Sequence, residues 1–64
     1  MQIVYRSGLW AETLKVVNAL SLENITTKTD TRGSNGTYPV AVDMRETVAA
    51  RRVIAQLRGS QEVR

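Results

Sequence analysis

Neither cysteine nor histidine occurs anywhere in the 64 residues of this chain. For so short a chain this is the tightest constraint on what it can become. A fold of this size buries only about 60% of the surface its unfolded chain exposes, so its stability is thin. Small domains usually make up the difference with disulfides, a metal or self-association. Without cysteine there is no disulfide, and without either residue there is no structural zinc cage. Two routes remain: two helices packed well on one face of a sheet, or oligomerisation. The same absence removes the usual general base and the usual thiol nucleophile.

The pattern along the chain is β-α-β-β-α. Residues 2–6 read as a strand, with Ile3 and Tyr5 alternating against Gln2, Val4 and Arg6. Ser7-Gly8 breaks it, and Ser7 is placed to cap the next element. Over 8–21, a spacing of 100° per residue gathers Leu9, Trp10, Leu14, Val16, Val17 and Leu20 on one broad side of a helix. Glu12, Lys15 and Asn18 fall opposite, and Thr13 lies within the apolar arc. Asn24 suits a left-handed stop. Residues 25–31 form a threonine-rich second strand, an edge guarded by Lys28 and Asp30. Arg32-Gly33-Ser34-Asn35-Gly36 is a hairpin turn. Residues 37–43 form the third strand, with Pro39 near its start and Val40 and Val42 inward. Asp43-Met44-Arg45-Glu46 has capping-box spacing and opens the last helix. Ala50, Val53, Ile54 and Leu57 make that helix's buried stripe, and Gly59 stops it.

These elements predict one α+β domain over residues 1–59, with a flexible tail over 60–64. The hairpin sets strands two and three antiparallel, and a right-handed crossover carries strand one alongside strand three. The expected sheet order is 1-3-2 with both helices on one face. This is a ferredoxin-like arrangement lacking its last strand. Strand one is then an open edge, and Ile3, Val4 and Tyr5 are the candidates for self-association, with a homodimer expected.

Read in this order, four stretches carry a family resemblance. They are Val4-Tyr5-Arg6; Glu12 to Ile25, with Val16, Leu20 and Leu22-Glu23-Asn24-Ile25; Gly36-Thr37-Tyr38-Pro39-Val40-Ala41-Val42; and Asp43 to Ile54, with Ala50-Arg51. Together they resemble the small bacterial signal-transducing protein family, an uncharacterised group remotely similar to PII-type regulators. Asn24 stands where that family usually has glycine, and the threonine-rich second strand is a further departure. The layout also resembles ring-building modules of secretion and flagellar basal-body proteins. The first resemblance implies a regulatory or binding role, and neither implies catalytic residues.

No catalytic set emerges from the remaining polar residues. Ser7, Ser21, Ser34 and Ser60 fall in caps, turns or the tail, and Lys15 lies on an exposed helical face. The acids are scattered, and Asp43 with Glu46 is explained as a helix cap. Gly33-Ser34-Asn35-Gly36 joins two strands, so it lacks the helix N-terminus that makes a phosphate cradle. The chain therefore reads as non-enzymatic, with no cofactor and no metal site. Arg45, Arg51, Arg52 and Arg58 are the candidate contacts to an anion or partner, since arginine forms bidentate contacts to phosphate and carboxylate. Trp10 has two readings, core packing or an interface anchor.

Net charge is +3, which lacks the density of a typical nucleic-acid binder. No apolar run reaches the length of a membrane span, and the first residues lack a signal-peptide layout. The expectation is a soluble, cytoplasmic protein with no membrane contact. Asn24-Ile25-Thr26 and Asn35-Gly36-Thr37 match the glycosylation pattern, which here reads as coincidence. The leading functional expectation is a small interaction or regulatory module that self-associates and binds a protein or small-ligand partner. The alternative is weak nucleic-acid binding through the arginines of the last helix.

Overall fold

Two helices lie on one face of a three-stranded antiparallel sheet, ordered β1-β3-β2. The computed structural model describes residues 1–33 and 35–63. Its elements are β1 (Gln2–Ser7), α1 (Trp10–Leu22), β2 (Thr27–Thr29), β3 (Tyr38–Val42), a 3-10 turn (Met44–Glu46) and α2 (Thr47–Gly59). This is the α+β arrangement and strand order that the sequence pattern predicts. β3 is the central strand, so β1 and β2 are both edges. α1 packs on all three strands, whereas α2 packs chiefly on β1.

The core is aliphatic, as the scarcity of aromatics requires. Val16 and Leu20 of α1 meet Val40 and Val42 of β3 and Ala50 and Ile54 of α2, with Tyr5, Ile25 and Val63 closing the sides. Each fully buried side chain of this kind contributes about 1.5–3 kcal/mol. Thr13 is also fully buried and stays satisfied because its hydroxyl donates to the Leu9 carbonyl, at 3.3 Å. Three members of the predicted apolar side of α1 do not reach the core: Leu9, Trp10 and Leu14 remain 55%, 37% and 40% exposed. The sheet is only three strands wide, so α1 overhangs it with part of its apolar arc.

The helix ends explain where the chain departs from its pattern. Asn24 takes a left-handed φ of 59°. Ile25 N–H donates to the Leu20 carbonyl and Asn24 N–H to that of Ser21. These two bonds make a Schellman motif, in which the residue after the left-handed position folds back on the helix. Ile25 is consumed in this way, buried against Leu20, so the second strand is Thr27–Thr29 rather than the expected 25–31. At its far end the Asp30 carboxylate accepts from Arg32 N–H and turns the chain. The following turn uses left-handed positions at Gly33, Asn35 and Gly36, as its composition demands, while Ser34 lies outside the described residues.

The same motif corrects the expectation of a free tail. α2 runs through Gly59, and Gln61 takes the left-handed position with φ 61°. Glu62 N–H donates to the Leu57 carbonyl and Gln61 N–H to that of Arg58. This reverses the chain and buries Val63, which is only 6% exposed. Lys15 of α1 holds the segment from the other side, donating to the Glu62 carbonyl at 3.2 Å.

Both predicted caps are modified too. Leu9, not Ser7, is the residue before α1, and Ser7 Oγ accepts from Leu9 N–H at 3.0 Å from within β1. Asp43 Oδ1 accepts from Arg45 N–H at 2.9 Å and nucleates the 3-10 turn. Glu46 is half-buried, and its Oε2 is closed off from solvent with no hydrogen-bond partner among the described residues. The reciprocal half of the predicted capping box is therefore missing.

Candidate functional site

The candidate site is the outer edge of β1. At six residues it is the longest strand, and among the described residues no strand lies on its far side. Its register against β3 slips between Ile3 and Tyr5, so Val4 is an extra residue. A bulge of this kind lets two successive residues face one side. Tyr5 pairs with buried Val40 and lies in the core, and Val4 packs against that core beside it. Gln2 and Ser7 pair with Val42 and Tyr38 and share the helix-covered face. Ile3 and Arg6 pair with Ala41 and Pro39 and share the open face. Pro39 stands one residue beyond the last β2–β3 pair, opposite β1 alone, where its missing donor costs least.

Of the three residues predicted for self-association, Ile3 is 43% exposed and Val4 is half-buried. Tyr5 is only 3% exposed, so it offers a partner its backbone and not its ring. Around that ring three elements are tied together. The Tyr5 hydroxyl donates to Glu12 Oε2 at 3.1 Å, and the Ser7 hydroxyl donates to the same oxygen at 3.2 Å. The Arg58 guanidinium lies over the Tyr5 ring, 5.7 Å from its centroid. Such a stack is worth about 0.5–1 kcal/mol at a partly exposed site. Burial raises the Tyr5 phenol above its ordinary pKa, and the hydrogen bond to Glu12 pushes it the same way. Glu12, placed by the sequence pattern on the polar side of α1, is thus the acceptor that joins β1 to α1. A carboxylate one turn into a helix that follows a Tyr-x-Ser strand end was the only signal for it.

The four arginines do not form one surface. Arg51 and Arg58 are seven residues apart on α2 and so about 20° apart around it. They share the flank beside β1, where Arg58 lines a shallow hollow with Ile3, Val4, Tyr5 and Arg6. Arg52 lies about 100° further round than Arg51, at the opposite flank. With Arg45 it borders a groove of about 430 Å³ between the α1–β2 turn and the start of α2, lined also by Glu23, Asn24, Glu46 and Gln56. Arg45 is 91% exposed there and pairs with Asp43 at 3.4 Å. Its backbone N–H on the Asp43 carboxylate holds that carboxyl below the usual range. The sequence pattern separates all four arginines from the buried stripe but does not show that they divide between its two sides.

Trp10 is intermediate between its two readings. Its ring meets Tyr38 edge-on at 5.2 Å, and 37% of the residue remains exposed. No group of three or more acidic side chains among the described residues is placed to hold a metal ion. Among the same residues, no helix is long and apolar enough to cross a membrane. No family model, no curated protein and no solved structure matches this chain.

Proposed function

We propose that this chain is a small non-enzymatic interaction module that works by strand addition at the free edge of β1. The observation that carries this reading is the vacant strand position itself. β1 lies beneath α2 at the margin of the sheet, so its inner side is paired and, among the described residues, no strand pairs with its outer row of backbone groups. An edge of this kind is either blunted or used. Strand addition gives affinity through main-chain hydrogen bonds and selectivity through side chains on alternate faces.

Self-association through β1 is one form of this function, and a specific observation favours it. Because of the bulge, the facing of Gln2 to Ser7 runs helix, open, helix, helix, open, helix, which reads the same from either end. A two-fold-related copy, paired antiparallel about the midpoint of Val4 and Tyr5, matches face to face throughout. It sets Ile3 beside the partner's Arg6. Closed two-fold symmetry requires such self-complementarity. The same docking brings the Arg51–Arg58 flanks of two α2 helices toward one another, so added salt strengthens it. Nucleic-acid binding gains less support, since the arginines lie on opposed flanks of α2.

Sedimentation velocity over a concentration series tests self-association, at about 50 mM and about 500 mM salt. The expected result is a monomer–dimer equilibrium that strengthens with salt and is lost in Ile3→Lys, a charge placed beside the edge. A monomer at every concentration and salt level would remove the self-pairing reading.

A further inference from the structure

We infer that the outer edge of β2 pairs with the same edge of a second copy, in a register set by Lys28 and Asp30. This surface is distinct from the β1 edge and stands without it. β2 is the other margin of the sheet, and among the described residues no strand lies beyond it. Thr27 and Thr29 pair with Val42 and Val40, so they share the helix-covered face. Lys28 pairs with Ala41 on the open face, where Lys28 and Asp30 line a shallow hollow with Ile3, Pro39 and Ala41. Both charged side chains are exposed, and the Asp30 carboxylate is held at the strand end by Arg32 N–H.

A lone lysine blunts an edge. A lysine and an aspartate two residues apart on one face are more selective. In an antiparallel two-fold pair the faces match only when the axis passes beside a residue and not between two, because side chains alternate. With the axis at Lys28 or at Asp30, like charges oppose each other. With the axis at Thr29, Lys28 lies opposite the partner's Asp30 and Asp30 opposite the partner's Lys28. Opposite charges directly across a strand pair are favourable and like charges are not. Thr29 then meets its own copy on the helix-covered side, a pairing that suits threonine. Arg32 lies past the turn that Asp30 closes, outside the paired stretch.

The helix above this edge carries a second matching feature. Trp10, Leu14 and Val17 succeed one another along one flank of α1 at helical spacing. Val17 lines a hollow with Thr26 and Thr27, so this flank runs above the β2 edge. Trp10 and Leu14 are 37% and 40% exposed there. A two-fold at β2 brings the two flanks together antiparallel, Leu14 toward its own copy and Trp10 toward the partner's Val17. The contact that pairs the charges thus also covers the apolar arc that overhangs the sheet. Where β1 pairs as proposed above, contacts at opposite edges extend the sheet from copy to copy without closing.

A short strand and two exposed ion pairs make a weak contact, so the test dilutes the isotope-labelled chain from about 1 mM and follows its amide shifts at about 50 mM and about 500 mM salt. The expected result is concentration-dependent shifts at residues 27–30 and at Trp10 that shrink at the higher salt. Pairing at β1 moves residues 2–7 and grows with salt, so the two edges are read apart. Lys28→Glu is a surface change that sets like charges opposite one another twice, and it should weaken the β2 contact about tenfold or more. Asp30→Asn keeps an acceptor for Arg32 N–H and should weaken it roughly fivefold. Labelled Lys28→Glu is then mixed with unlabelled Asp30→Lys, its fold checked by circular dichroism. The mixture restores opposite charges and should recover shifts at residues 27–30 that neither variant gives alone.

Shifts confined to residues 2–7 would overturn the inference and leave the β1 reading standing. Shifts at residues 27–30 that persist undiminished in Lys28→Glu and Asp30→Asn, or a mixture of folded variants no stronger than its parts, would overturn the register set by Lys28 and Asp30. A chain with no concentration-dependent shift at either edge would overturn both readings.

Discussion

Val63 is where the closed C-terminal segment can be tested most cleanly. The residue is 6% exposed and joins the core formed by α1, α2 and the sheet. Val63→Ala removes two methyl groups. At ~0.8 kcal/mol for each buried carbon, this should cost about 1.6 kcal/mol. The cavity contribution should be small, because the segment is joined to α2 through one turn and can settle into the space left behind. Val63→Asp should cost scarcely more, about 2 kcal/mol, the full burial of one valine. A carboxylate will not be buried there, so the segment detaches instead, and detachment caps the loss. In a domain of this size 1.6 kcal/mol corresponds to roughly 6–13 °C in Tm. Urea unfolding followed by Trp10 fluorescence, with thermal unfolding by circular dichroism, reads both variants. Val48→Ala is the control: Val48 is 66% exposed and should change stability by less than about 0.5 kcal/mol. Losses below about 0.3 kcal/mol in both Val63 variants, no larger than the control, would refute the docked segment.

Other expectations follow from the same helix ends and from the two shifted groups. Gln61→Gly should raise stability by about 0.5–1 kcal/mol, since a left-handed φ costs an L-residue and not glycine. Asn24→Ala should lower stability by about 1 kcal/mol for the same reason, and paired urea curves measure both changes. The Asp43 pKa is depressed in the folded state, so its contribution is present above the ordinary carboxylate range and is lost as pH falls through the folded value. Asp43→Asn should therefore flatten the acid side of the stability–pH curve. The Tyr5 pKa is raised, so its contribution is complete below about pH 10 and is lost as pH rises further. Tyr5→Phe should abolish that alkaline limb, measured as urea midpoints between neutral pH and about pH 11.

The broad architecture was legible because its determinants are local. The apolar spacing of Val16, Val17 and Leu20, the glycine-rich turn before Tyr38 and the alternation of Val40 and Val42 each act within one element. Sheet order followed from the shortness of the hairpin and the handedness of the crossover. What escaped the sequence depends on three-dimensional closure. Asn24 signals a helix stop, but only the packing of Ile25 on Leu20 reveals that the stop shortens β2. Gln61 carries no sequence signal for a left-handed position, so the burial of Val63 was hidden. The bulge at Val4 arises from pairing β1 with β3, and alternation alone places Tyr5 correctly while misplacing Ile3 as an inward residue. The arginines of α2 stand apart from Ala50, Val53, Ile54 and Leu57, but the side of that stripe each one occupies matters only once α2 is placed over an edge. Glu12 is ordinary in sequence and becomes an acceptor for two hydroxyls only when the end of β1 meets the start of α1.

The claim on which the functional account turns is that the outer backbone row of β1 is a working surface. Amide hydrogen exchange measures that row directly, with the chain at low concentration and again at high concentration in about 500 mM salt, where self-pairing is strongest. The account predicts that amides within residues 2–7 already paired to β3 keep their protection, while those facing outward gain protection only at the high concentration. Protection that stays unchanged over residues 2–7, or appears instead around Glu23–Ile25, Arg52 and Gln56 at the groove across α2, would contradict it.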